Sequence, residues 1–110
     1  MTASSAYRAL ADPTRREILR LLREGDLAAG ELAGHFEISW PSVSRHLRVL
    51  DTAGLVSSER HGGRIIYTLQ TSVLQDVATE VAEMAGVGRQ SSRSAAKSRS
   101  PRRQTRPARA

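Results

Sequence analysis

Between Ser39 and Gly54 the chain carries a helix whose two ends and two faces are both written in the residues. Ser39 can cap the start, Pro41 fits the first turn where a missing N–H is no loss, and Gly54 can end the helix with positive φ. Val43, Leu47 and Leu50 fall on one side, while Ser42, Ser44, Arg45 and Arg48 spread over the other. One side must pack on a core, so the remaining segments have to supply that core. The other side is short, polar and cationic. Such a surface can enter the major groove of DNA, about 12 Å wide, where Arg forks onto guanine or phosphate and Ser pairs with either. Taken alone, the same pattern also describes an ordinary amphipathic surface helix.

The flanking segments narrow that choice. Residues 28 to 35 read as a short helix with Ala29, Leu32 and Ala33 inward, followed by a turn expected to be anchored by Phe36 and Ile38. A small-residue helix, a tight turn and a polar-cationic helix have the spacing of a helix-turn-helix. After Gly54 the period changes from helical to alternating. Residues 55–60 and 64–69 are expected strands, with Ile65, Tyr67 and Leu69 on one face, and His61-Gly62-Gly63 supplies a hairpin turn. Arg60 and Arg64 flank the tip of this wing, where they can lie along phosphate, enter a narrow minor groove, or simply protect an edge hairpin.

Upstream, residues 3 to 11 read as a short helix with Ala6, Tyr7 and Leu10 inward. Asp12-Pro13 then marks a second start, Asp as N-cap and Pro at the first helical position. Ile18, Leu19, Leu21 and Leu22 give it an apolar stripe, Gly25 suits its end, and Arg15, Arg16, Arg20 and Arg23 form a solvated face that can graze phosphate. A last helix is expected from Thr71-Ser72, where Ser72 and Gln75 match a capping box. Its apolar residues Leu74, Val77, Ala78, Val81 and Met84 recur at helical spacing.

Composition limits what these elements build. A chain of 110 residues allows one small core, marginal unless a partner adds burial, so self-association through the terminal helices is expected. No cysteine is present, which removes disulfides, thiolate metal sites and cysteine nucleophiles and fits a cytoplasmic location. No apolar run approaches the roughly 20 residues of a membrane span, and no secretory pattern opens the chain, so no membrane association is expected.

The net charge of +6 is unevenly distributed. Residues 1–85 hold nine arginines against eleven acidic residues, a balance of −2. Residues 86–110 hold seven arginines and one lysine without an acid, a balance of +8. That segment lacks the apolar residues to offset its ordering entropy, so the reading is a folded domain over 1–85 and a disordered basic tail over 86–110.

Several segments in order, Ala9-Leu10-Ala11-Asp12-Pro13-Thr14-Arg15-Arg16-Glu17-Ile18-Leu19, Gly30-Glu31-Leu32-Ala33, Ser39 through Leu47, and Ala53-Gly54-Leu55-Val56, resemble ArsR-type winged-helix repressors, and within them the SdpR-like autorepressor subgroup. The resemblance covers roughly residues 5–85. It implies a homodimeric bacterial transcriptional repressor on palindromic operators, often at its own promoter. By position it implies that Trp40, Ser42, Ser44 and Arg45 face DNA and that Arg60 and Arg64 are wing contacts; Arg48 joins them from the polar side of the helix. Trp40 departs from the family, which usually has a smaller or polar residue there. Its indole can touch a thymine methyl or sugar, or fold back onto the body. His46 matches the family and reads as a packing residue on the flank.

Metal-sensing members of the family use cysteines before the recognition helix or Asp and His on the last helix. Neither set is present, and His35, His46 and His61 have no ligand spacing, so no metal and no cofactor is expected. Any effector is unknown from the sequence. No nucleophile-base-acid order and no phosphate loop after a strand is found, and no enzyme is expected.

The expected fold is therefore mainly α with a small β-hairpin, a winged helix-turn-helix dimerising through its terminal helices. The expected function is sequence-specific binding of double-stranded DNA in transcriptional regulation. An architectural, nucleoid-associated protein driven by the basic tail is the alternative, and a tail that binds an acidic protein or RNA is a further one. Removing residues 88–110 is expected to flatten the dependence of DNA affinity on salt and to leave site choice intact. Binding titrations of the full and shortened chains across a salt series test this; a changed site preference would mean that the tail reads sequence.

Overall fold

A computed structural model of the chain describes residues 3–87, as helices and strands in the order α1 (Ala3–Leu10), α2 (Pro13–Arg23), β1 (Leu27–Ala28), α3 (Ala29–Ala33), α4 (Trp40–Thr52), β2 (Val56–His61), β3 (Arg64–Leu69) and α5 (Thr71–Met84). Residues 88–110 of the expected tail lie outside the described residues. Two compact units divide within α5, the first ending at Gln75 and the second beginning at Asp76.

In the first unit the apolar side of each helix closes on one core. Ile18, Leu19 and Leu22 of α2, Leu32 of α3, and Val43, Leu47 and Leu50 of α4 meet Leu55 and Val56 at the start of the wing. Burial of each such side chain contributes about 1.5–3 kcal/mol. Ala6 of α1 is buried and Leu10, half-buried, packs against this core as expected, and Tyr7 is half-buried; Ala9, with no exposed surface, reaches the core itself. The small side chain lets α1 approach closely.

The sheet has three strands, not two. β1 pairs antiparallel with β3, Leu27 opposite Tyr67 and Ala28 opposite Ile66, so the strand order is β1-β3-β2. Residues 28–35 are accordingly split, with Ala28 in a strand and a helix only five residues long. Phe36 packs against the core as expected, whereas Ile38 is 41% exposed and does not anchor the turn.

Helix ends follow local chemistry. Asp12 caps α2, its Oδ2 accepting the Arg15 N–H at 3.1 Å, and Pro13 occupies the first turn. Ser39 caps α4 by accepting the Ser42 N–H at 3.2 Å, and its hydroxyl donates to Ser42 Oγ at 3.0 Å. At the other end Gly54 (φ 79) lets the Leu55 N–H reach Leu50 O and the Gly54 N–H reach Asp51 O, both at 3.0 Å. This is the Schellman closure, and it turns the buried Leu55 back beneath α4.

The wing turn is the two residues Gly62 (φ 64) and Gly63. α5 begins at Thr71, with the Leu74 N–H donating to Gln70 O at 3.4 Å; Ser72 is therefore inside the first turn rather than capping it. The side chain of Gln70 is spent on Ser57 Oγ at 2.7 Å. In the second unit Val77 is buried, while Val81 and Met84 are exposed. No helix among the described residues is long and apolar enough to cross a membrane.

Burial pushes the Asp12 pKa up, but the Arg15 N–H, the His46 ring, the Arg15 charge and the Thr14 N–H together bring it below the usual carboxylate value. A depressed folded pKa gives stability that is present above the unfolded value, about 3.9, and lost as pH falls through the folded one. Asp12→Ala is expected to lower stability by about 1 kcal/mol at pH 7, and Asp12→Asn by less. Denaturant unfolding at pH 7 and at pH 3 checks both the size and the sign, because the deficit of Asp12→Ala relative to wild type should shrink on acidification.

Candidate nucleic-acid interface

The rotation of α4 about its axis is set by Val43, Leu47 and Leu50, all at most 2% exposed. Everything else on the helix is distributed by that choice. Arg45 faces away from the core and is exposed. Trp40, Ser44 and Arg48 follow one another at four-residue spacing along one edge, all three exposed. Ser42 and His46 run along the other edge, half-buried. The structure thus brings five of the seven predicted residues onto one helix, and Trp40, 54% exposed, is not folded into the core.

The Ser42 edge is occupied by internal bonds. Arg15 Nη1 lies 3.1 Å from His46 Nδ1, and because guanidinium only donates, that ring nitrogen accepts. The same Arg15 donates through Nε to Ala9 O at 2.7 Å and through Nη2 to Arg8 O at 3.0 Å, and Asp12 Oδ2 stands 3.9 Å from His46 Nδ1. Arg16 Nη1 donates to Leu10 O at 2.8 Å. Arg15 and Arg16 therefore staple the end of α1, and Arg15 extends the staple to α4; Arg16, Arg20 and Arg23 stay exposed as the expected solvated face. Sequence reasoning missed this role, since charge on an outer helix face gives no signal of a distant carbonyl.

On the other edge α4 meets the wing. Tyr67 of β3 has its pKa raised by burial and further by the charge of Asp51, partly offset by Arg48. Arg48 is thus close enough to Tyr67 to act on it electrostatically. Arg48 also lines a recess of about 250 Å³ with Ser5, Arg8 and Val49.

The wing register separates its two arginines. Arg60 pairs with Ile65 and shares a face with Ser58 and Tyr67; Arg64 pairs with His61 and shares the opposite face with Glu59 and Ile66. They flank one tip but point to different sides of it. Arg64 Nη2 forms an ion pair with Glu31 Oε1 at 3.3 Å, and that same oxygen accepts the Ala28 N–H at 2.8 Å. Among the described residues no ion pair holds Arg45, Arg48 or Arg60. Ala28, Glu31, Trp40, Gly63, Arg64 and Ile65 line a cleft of about 450 Å³ between the beginnings of α3 and α4 and the wing tip. Among the described residues no group of three or more His, Asp or Glu side chains converges as a metal site would require.

A short helix, a turn, a helix with an outward cationic surface, and a following hairpin define the chain as a winged helix-turn-helix protein. Residues 12–58 match the model of the arsR family of bacterial regulatory proteins. The chain is 51% identical over 73 residues to the transcriptional repressor SdpR of Bacillus subtilis, covering 66% of this chain and 81% of that protein. It is 38% identical over 71 residues to the arsenical resistance operon repressor of Staphylococcus xylosus, covering 64% and 68%. Among solved structures, an ArsR-like transcriptional regulator from Rhodococcus superposes with a TM-score of 0.67 at 33% identity, over 86% of this chain and 89% of that one. The chain belongs to the arsR family of winged-helix transcriptional regulators; it is a DNA-binding regulator and not an enzyme.

His46→Ala removes the acceptor of Arg15 and is expected to lower stability by about 0.5–1.5 kcal/mol without altering sequence preference. Thermal melts and binding to a panel of single-base operator variants check this. A changed preference at any base position would make His46 a reading residue.

Proposed function

We propose that the protein is a homodimeric, sequence-specific repressor of its own or a neighbouring promoter, acting on an inverted-repeat operator. The observation that carries this reading is the fixed rotation of α4, which leaves Arg45 outermost and Trp40, Ser44 and Arg48 in a row beside it, with Ser42 at the opposite edge. Placed in the major groove, Arg45 reads a base edge and the hydroxyls of Ser42 and Ser44 contact base or phosphate. Arg60 and Arg64 lie along the backbone from the wing. Repression is supported by the names of the relatives, SdpR and the arsenical resistance operon repressor.

Dimerisation is supported by apolar side chains at the end of α5: Val81 is 45% and Met84 70% exposed. A second copy would bury them and set two recognition helices about 34 Å apart on one face of DNA. The protein works without a metal. A sequence lacking cysteine offers no thiolate ligands, and its three histidines lie apart along the chain, on the turn after α3, on α4 and at the wing tip. Residues 1–85 form the DNA-binding and dimerising domain, and residues 86–110 add a sequence-independent grip through their +8 charge. That charge also favours a second reading, an architectural protein in which the tail dominates and the winged helix only orients.

Arg45→Ala is expected to weaken binding to the selected operator by about 1–3 kcal/mol and to relax preference at one base position of each half-site. Binding selections with the wild type and the variant compare the two preferences. An unchanged preference would remove α4 as the reading element.

A further inference from the structure

Of the cationic side chains assigned to DNA, Arg64 alone is already engaged by a carboxylate among the described residues. Its partner is well placed to hold it. Glu31 is anchored by the Ala28 N–H at 2.8 Å, and Ala28 is itself fixed to the wing strand through its pairing with Ile66. The carboxylate and the guanidinium therefore lie on parts of one sheet-and-helix unit that do not depend on DNA for their position. Both groups remain open to solvent, the side chains of Arg64 and Glu31 being 61% and 53% exposed. They face the cleft whose other wall is Trp40 at the start of α4. In a winged-helix complex the strand between the major groove, entered by the helix, and the minor groove, approached by the wing, passes across that interval.

We propose that this cleft seats one phosphodiester of that strand and that Glu31 is a gating residue which competes with the phosphate for Arg64. The proposal rests on the reading of Arg64 as a wing contact. In the free protein Glu31 holds the guanidinium across the cleft; on DNA the phosphate takes it over, with Trp40 against the adjoining deoxyribose. Exposed ion pairs are weak, so a phosphate can displace the carboxylate, and the competition lowers affinity only modestly. Its consequence is selectivity: a phosphate placed at the cleft by a correctly docked helix releases Arg64, whereas loosely associated DNA leaves it paired.

The test is a double-mutant cycle with the full-length protein and a duplex that the wild type selects from a random library. Glu31→Gln keeps an oxygen for the Ala28 N–H and removes the charge. It is expected to tighten binding by about two- to five-fold per wing, the factor matching the usual strength of an exposed pair. It is also expected to steepen the salt dependence, and the gain should vanish in an Arg64→Ala background. Glu31→Asp, which withdraws the carboxylate from Arg64 at constant net charge, is expected to tighten binding in the same direction. Melting temperatures verify that each variant is folded. An equal gain with and without Arg64 would reduce Glu31 to a general charge effect and overturn the gate, as would weaker binding by a folded Glu31→Gln or Glu31→Asp protein. If Arg64→Ala alone leaves affinity and salt dependence unchanged, the wing-contact reading itself fails, and the gate with it.

Discussion

Burial of Val43, Leu47 and Leu50 fixes how α4 is rotated on the body, and that rotation decides which of its side chains remain for a partner. A turn of the helix by one residue would bring Ser44 or Arg48 toward the core, an arrangement whose polar desolvation cost excludes it. The apolar side of one helix thus does two things: it closes the core, and it aims Arg45, Ser44 and Trp40 outward. The Schellman closure at Gly54 then carries the chain from the end of α4 directly into the wing, so helix and hairpin are positioned by one buried junction, Leu50 against Leu55.

Polar bonds secure what packing alone would leave adjustable. Arg15 ties the last turn of α1 to the flank of α4, and Asp12 holds the start of α2 beside the same histidine. The two edges of α4 consequently differ in kind. The His46 edge is bonded inward, and the Trp40 edge opens on a cleft shared with α3 and the wing. That asymmetry orients the helix relative to the hairpin, which a winged-helix reader requires if helix and wing are to reach neighbouring grooves together.

Much of this was legible in the residues. Asp12-Pro13, Ser39 with Pro41, and Gly54 announce three helix ends because capping is a local event involving neighbours within five positions. The period change after Gly54 gave the hairpin, and the Gly62-Gly63 pair its turn. What was hidden depended on contacts distant in sequence. β1 is two residues long and exists only because Leu27 and Ala28 find β3, so no alternation could reveal it. Arg15 looked like a surface charge because its acceptors are the carbonyls of another helix. Ile38 is apolar enough to be expected inward, yet it lies on an exposed turn. The opposite orientation of Arg60 and Arg64 follows from strand register, which the turn length determines but a list of cationic residues does not.

Operator-specific repression requires that α4 read sequence in a symmetric assembly. Selection of bound duplexes from a random library by the full-length protein, repeated at low and near-physiological salt, measures this directly. A dimer reading through α4 is expected to select an inverted repeat, with half-sites about one helical turn apart, that survives the higher salt. Enrichment of only A·T-rich or unpatterned DNA, with binding that collapses as salt rises, would contradict it and assign the binding to the basic tail.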